Sequence, residues 1–284
     1  MSGSPLSSLI NGEACDRISV RDRGLCYGDG LFETVAVADG QPLYWERHRH
    51  RLAEGCARLG LPVPGEVLDA EAAGLCAGRE RAVLRVTLTR GEGGRGYEPP
   101  RPAVPTRILS LLPWPQRPGH WRSQGVRVVL CRQRLAENPT LAGLKHLNRL
   151  EQVLARAEWD DEDIAEGLML DPSGRLVEGT MSNLFLVRDG CLHTPELSCC
   201  GVAGIIRSVI LELADTLNIP RQVDRLELSD LAAADEVFLT NSVIGLWPVS
   251  RIDGRTLAVG PLTRRLASAL SAHSGGRWYP APDA

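Results

Sequence analysis

Along the first third of the chain, apolar and polar positions alternate in short runs broken by turn dipeptides. LSSLINGEACDRISV is divided by Asn11-Gly12 and LFETVAVADGQPLYW by Asp39-Gly40. Both pairs suit a backbone with positive φ, so each run predicts a β-hairpin. The period then lengthens. ERHRHRLAEGCARLG places apolar residues at helical spacing and closes at Gly60, with Pro62 just beyond, and a second helix is expected over residues 65–77. Two apolar strands, RAVLRVTLTR and TRILSLL, follow on either side of a glycine-rich loop, GEGGRGYEPP.

The stretch PWPQRPGHW, residues 113–121, is dense in Pro and Gly and has no period. It reads as a linker between an N-terminal domain, residues 1–112, and a C-terminal domain, residues 122–284. The second domain opens with a strand, VRVVLC, and a helix over roughly residues 146–158, followed by a polar acidic loop, DDEDIAEG. Strands GLMLD, RLVEG and NLFLVRDGCLHT come next, joined at Ser173-Gly174 and Asp189-Gly190. The helical run GIIRSVILELADTLN, strands near VDRLEL and EVFLTNS, and a C-terminal helix complete the chain. Strands and helices mix without strict βαβ alternation, which predicts an α+β fold rather than a doubly wound sheet. No repeat of 20–50 residues is present.

Composition narrows the function. With 284 residues the chain buries a core without disulfides or metals, and 43% hydrophobic with 24% charged residues excludes wholesale disorder. A net charge of −3 gives no bulk attraction to nucleic acid or anionic lipid. No apolar run reaches the length of a membrane span, and MSGSPLSSLINGE carries no export signal. The eight cysteines lack C-x-x-C spacing, which predicts reduced thiols in a cytoplasm and no zinc cluster. Several short motifs fail. GEGGRGY has no Lys-Ser or Lys-Thr after it, GLCYGDG lacks the G-x-G-x-x-G order, and DDEDIAEG lacks calcium-loop spacing. His48 and His50 stand i, i+2 on a helix and point apart, so no metal site is expected.

One residue stands out. Of the 32 basic residues 31 are Arg, and the single Lys is Lys145, in NPTLAGLKHLNRLEQ. A primary amine can lose its proton and attack a carbonyl, which a guanidinium cannot. On composition alone Lys145 is equally a chance survivor on a surface helix. If it forms a Schiff base, the partner is pyridoxal phosphate, which also needs an acid at its pyridine nitrogen and donors for its phosphate. Glu178, in LVEGTMSNLF, and the N–H groups of Ile205 and Ile206 after Gly204 are candidates, although such groups are more often solvated.

The strings LINGE, GDGLFET, HRHRL, GLKHLNRLEQ, EGTMSNLF, GVAGIIR and TNSVIGLWPV, in this order and spacing, resemble the class IV (fold-type IV) PLP-dependent aminotransferase family over about residues 9–250. The resemblance implies a two-domain α+β fold, a homodimer, a small-molecule substrate, and no nucleic acid or membrane partner. It matches Lys145 to the Schiff-base lysine and Glu178 to the pyridine-nitrogen partner. Arg51 matches the phosphate-binding arginine, and the backbone at Ile205 and Ile206, with Ser242, the rest of the phosphate cradle. TRGEGGRGY and GLKHLNRLEQ are typical of members that convert 4-amino-4-deoxychorismate to 4-aminobenzoate and pyruvate. In these, Thr34 fills the position that branched-chain transaminases give to Gly, and its hydroxyl contacts the reacting substrate. Arg95, Tyr97 and Arg107 are the candidates for the substrate carboxylates. Glu33 departs from some lyases and is shared with transaminases, which keeps a D-amino-acid or branched-chain aminotransferase open. A non-enzymatic, Arg-rich nucleic-acid-binding protein is the distant alternative, and the acidic balance and low aromatic content weigh against it.

Overall fold

The turn pairs fold as the alternation predicts. Asn11 and Gly12 have φ of 51° and 89°, Asp39 and Gly40 of 50° and 74°, and Asp189 and Gly190 of 51° and 74°. Each pair closes an antiparallel hairpin whose twist needs left-handed residues at both central positions. The computed structural model describes residues 7–278; the first six residues of the N-terminal stretch lie outside them. The chain divides into two units.

The first unit comprises the chain up to Gln116 together with Lys145–Asn148. Its elements are β1 (Ser7–Ile10), β2 (Glu13–Ala14), α1 (Arg23–Tyr27), β3 (Gly30–Ala38), β4 (Gln41–Pro42), α2 (Trp45–Leu59), α3 (Gly65–Cys76), β5 (Arg81–Thr89) and β6 (Thr106–Pro113). The strands form one antiparallel sheet in the order β2-β1-β6-β5-β3-β4. One face is a dry core. Leu31, Val35 and Val37 of β3, Leu84, Val86 and Leu88 of β5, and Leu109 and Leu111 of β6 pack on Leu52 and Cys56 of α2 and on Leu68 and Ala72 of α3. Because strand side chains alternate, Phe32, Thr34 and Ala36 point to the other face.

The second unit comprises Arg117–Leu144 and the chain from Arg149 onward. It holds α4 (His120–Gln124), β7 (Val126–Arg134), α5 (Leu150–Arg156), β8 (Ile164–Leu170), β9 (Leu176–Gly179), β10 (Asn183–Arg188), β11 (Cys191–Pro195) and α6 (Ile205–Thr216). It continues with β12 (Arg221–Asp224), α7 (Leu228–Ala233), β13 (Glu236–Asn241), β14 (Gly245–Ile252), β15 (Arg255–Thr256) and α8 (Pro261–His273). The sheet runs β12-β11-β10-β13-β14-β7-β8-β9, and β9 pairs back to β10, so six strands close into a ring. The closing pair is Glu178 opposite Asn183. Inside, Leu168, Leu184, Leu239 and Trp247 belong to one buried cluster.

The fold is α+β, as the mixed pattern implies, with three local differences. β6 runs to Pro113 and α4 begins at His120, so only residues 114–119 lack regular structure within the expected linker. Trp121 is buried in the second core rather than spanning between domains. The helix expected over 146–158 is confined to α5, because Lys145, His146 and Leu147 are extended. They add to the free edge of β3, with Phe32 N–H donating to the Lys145 carbonyl at 2.9 Å and Leu147 N–H to the Gly30 carbonyl at 3.0 Å. That pairing groups the lysine with the first unit, whereas the sequence places it in the C-terminal domain. Among the described residues no helix is long and apolar enough to cross a membrane.

Candidate active site

The backbone of the Lys145 strip is held by β3, and its side chain reaches over the strand. The Lys145 Nζ lies 4.3 Å from the centroid of the Phe32 ring. A ring face attracts a cation and gives a neutral amine an apolar floor. The amine therefore sits on the Phe32 side of β3, the side that also carries Thr34.

The opposite side of the same strand explains Glu33. Its carboxylate is buried between β3 and α2, where it accepts from Arg51 Nε at 2.8 Å, from Arg51 Nη2, and from His48 Nδ1 at 2.6 Å. Burial alone would raise this carboxyl, but the Arg51 charge, with His48, outweighs it and holds it down at about 2. Burial pushes the His48 imidazole below its ordinary value, so the ring is neutral and donates from Nδ1. Glu33 thus fixes the plane of the Arg51 guanidinium and does not project beside Thr34.

On the Thr34 face, register places Arg85 of β5 directly opposite Thr34, with Ser110 of β6 next in the row. The Arg85 guanidinium lies 4.9 Å from the Phe32 ring, the ring that also carries the Lys145 amine. Arg85 is exposed at the surface, no carboxylate among the described residues pairs with it, and partial desolvation lowers its pKa. Arg95 and Tyr97 lie exposed in the loop after β5, the Tyr97 ring 5.4 Å from that of Tyr27. Arg107 is placed elsewhere. It pairs across from Leu88, on the helix-covered face, and its Nη2 and Nε donate to Glu71 of α3 at 2.7 and 3.1 Å. It braces α3 against β6, opposite the face of Thr34. Sequence reading missed Arg85, and a signal was there: a charge in the middle of the strand, four residues after the Arg81 that opens it.

The second unit supplies a carboxylate and a helix N-terminus. Glu178 is buried at the ring-closing pair, and its Oε2 accepts from Val202 N–H at 2.8 Å and from Asn183 Nδ2 at 3.3 Å. Asn183 Nδ2 also donates to the Val202 carbonyl at 2.9 Å. The turn after Glu178 is held from below by Glu166 of β8. This carboxylate accepts from the N–H groups of Gly167, Thr180 and Met181 at 3.0, 3.1 and 3.1 Å, from Ser182 Oγ at 2.8 Å and from Thr180 Oγ1. Burial still pushes it up. Glu166 was also missed, although an acid inside IAEGLML is as conspicuous as Arg85.

α6 begins at Ile205 after Gly204, and no side chain caps its first turn. The side chains of Ile205 and Ile206 are buried in the core, which leaves their N–H groups as the polar contribution. A Cβ on Gly204 would come within 1.9 Å of Asn183 Oδ1, so only glycine lets the helix start this close to the strand bearing Asn183. Ser242, half-buried, follows β13. Among the described residues no group of His, Cys, Asp and Glu could hold a metal ion. Each unit carries groups of the kind that pyridoxal phosphate needs: the first a primary amine over an aromatic ring, the second a buried carboxylate and an uncapped helix terminus shaped by a glycine.

The chain resembles known proteins over most of its length. The sequence profile of the amino-transferase class IV family matches residues 30–252. The aminodeoxychorismate lyase of Vibrio harveyi is 37% identical over 268 residues, spanning 92% of this chain and 98% of that protein. A putative branched-chain-amino-acid aminotransferase of Methanocaldococcus jannaschii is 34% identical over 269 residues, spanning 90% of this chain and 92% of that protein. The crystal structure of 4-amino-4-deoxychorismate lyase from Pseudomonas aeruginosa superposes with a TM-score of 0.91 at 52% identity, over 93% of this chain and 98% of that one.

Proposed function

The chain belongs to the class IV aminotransferase family, and from that membership we propose that it is a PLP-dependent lyase. It converts 4-amino-4-deoxychorismate to 4-aminobenzoate and pyruvate, a step towards folate. The observation that carries the reading is the shared face of β3 and β5, where the Phe32 ring lies against both the Lys145 amine and the Arg85 guanidinium and Thr34 stands opposite Arg85.

Pyridoxal phosphate, when bound, supplies an electron sink at the carbon that loses a proton. Lys145 would hold it covalently and Glu178 would hold its pyridine nitrogen. Arg51, the N–H groups of Ile205 and Ile206, and Ser242 would hold its phosphate. The remaining work falls to side chains. The Lys145 amine takes the proton from the substrate carbon that bears the amino group. Thr34, on the same face, would contact the neighbouring ether oxygen as the bond from that oxygen to the ring carbon breaks. The enolpyruvyl group gains a proton and leaves as pyruvate, while the ring becomes aromatic. Aromatisation supplies the driving force, so no second amino acceptor is needed.

The substrate carries two carboxylates, and Arg85 and Arg95 are the cations we assign to them. Arg85→Met is expected to raise KM about ten- to hundredfold with little change in kcat, the loss of one charge-assisted contact. Steady-state kinetics decides this, and a wild-type KM removes Arg85 from the substrate. The function itself is tested with aminodeoxychorismate and PLP in the absence of any 2-oxo acid, following 4-aminobenzoate and pyruvate. Multiple turnovers are expected. No product, together with a cofactor absorption band converted by D-alanine or a branched-chain amino acid, would make the protein a transaminase.

The compartment and assembly follow from the same reading. All eight cysteines are free thiols, which fits the cytoplasm. Leu150, Val153 and Leu154, at i, i+3 and i+4 on α5, are exposed together, which supports a homodimer through that face. Sedimentation is expected to give a dimer, and Val153→Asp to shift it towards monomer.

A further inference from the structure

The loop that carries Arg95 and Tyr97 has glycines at 91, 93, 94 and 96 and no regular structure. Left to itself such a stretch samples many conformations. Here it is wrapped around one buried side chain, that of Arg23 in α1. Arg23 Nη1 donates to the carbonyls of Gly96 and Glu98 at 3.1 and 3.3 Å, and Nη2 to the Tyr97 carbonyl at 3.1 Å. Gly93 packs on the aliphatic stem, where an added Cβ would fall 2.7 Å from Arg23 Cδ. The rim is closed by Tyr27, whose ring lies 4.9 Å from the Arg23 guanidinium and 5.4 Å from Tyr97.

Arg23 is itself fixed. Its Nε donates to Asp29 Oδ2 at 2.9 Å, and Arg90 Nε donates to the same oxygen at 2.8 Å. Arg90 then reaches the C-terminal end of α2, donating to the carbonyls of Leu59 and Gly60 at 2.8 and 3.0 Å. Burial would raise the Asp29 carboxyl, but the hydrogen bonds and charges of Arg90 and Arg23 hold it low. One carboxylate thus anchors two guanidiniums, one aimed at the loop and the other at a helix end. A lysine could not replace Arg23, because the contacts need a planar group donating in several directions at once.

We propose that Arg23, seated on Asp29, is a positioning residue that holds the 91–98 loop in the conformation from which Arg95 and Tyr97 meet the substrate. The substrate part of this rests on the lyase reading above. The role explains Gly93, which must touch Arg23, while Gly91 answers to a separate contact, a Cβ there lying 1.8 Å from the Val104 carbonyl oxygen.

Two variants of the PLP-loaded enzyme test it. Arg23→Lys removes the bonds to the loop carbonyls. Gly93→Ala leaves every charge in place and lifts the loop from the Arg23 stem, so the test stands even where the first variant folds poorly. In both, brief trypsin treatment is expected to cut after Arg95 about tenfold faster than in wild type, with the site identified by mass spectrometry, because cleavage follows local opening. KM for aminodeoxychorismate is expected to rise about tenfold with kcat within about twofold, and PLP affinity to stay at the wild-type value. Wild-type cleavage and KM in both variants overturn the proposal, and so does a fall in kcat at unchanged KM. A wild-type enzyme without lyase turnover overturns the function proposed above, while faster cleavage after Arg95 still supports the bracing of the loop.

Discussion

Lys145→Ala is expected to lower turnover of aminodeoxychorismate on the order of 10⁴-fold, the full contribution of a positioned base and covalent anchor. The chain has no second lysine to take over. The loss should be chemical rather than structural, since the strip is tied to β3 through the backbone of residues 145 and 147 and not through the amine. Lys145→Arg separates the two explanations. It keeps a cation above the Phe32 ring but cannot give up its proton, and it is expected to be as inactive as the alanine variant. Retention of even a tenth of wild-type turnover by the arginine enzyme would show that charge, not proton transfer, is what the site needs.

The second large effect concerns stability. Glu33→Gln is expected to cost about 3 kcal/mol at pH 7, the equivalent of moving a carboxyl from 4.5 to about 2. The sign follows from the direction of the shift. The folded state binds this proton less readily than the unfolded chain, so the stabilisation is complete above pH 4.5 and is lost as pH falls towards 2. Urea unfolding of both proteins between pH 7 and pH 2.5 should therefore show a gap that narrows below pH 4.5. A gap that stays constant to pH 3 would mean that the Arg51–Glu33 pair is not what the substitution removes. Because Arg51 loses its orientation, PLP should also bind the variant more weakly.

The parts of the fold legible in sequence are those fixed by neighbours along the chain. Asn11-Gly12, Asp39-Gly40 and Asp189-Gly190 set their turns by backbone preference, and α2 ends at Gly60 as its spacing predicts. What depends on distant pairing was not legible. GLKHLNRL reads as the start of a helix, yet its first residues are extended because β3 offers an unpaired edge far away in sequence. The site divides in the same manner. Lys145 stands out by its chemistry, and Glu178 and Thr34 by their motifs. Arg107 and Arg85 are both arginines in strands, and only the register tells them apart: one faces Glu71 and the helices, the other faces Thr34. Glu33 shows the same limit, since its motif is shared with transaminases while its side chain turns away from Thr34 towards Arg51.

The Lys145–Asn148 strip also has a consequence for the order in which the protein is made. Unit 1 owns this strip, but the intervening residues 117–144 belong to unit 2, so the ribosome delivers the missing piece only after a partial second domain. At about 5–20 residues per second the stretch from 117 to 148 takes about 2–6 s to synthesise. Throughout that interval the nascent first sheet stands with the Gly30–Phe32 edge of β3 unpaired, the kind of edge that recruits other chains. A gene truncated at residue 116 would freeze the protein in that state, so the boundary that looks like a natural place to cut is the one at which an N-terminal fragment should aggregate.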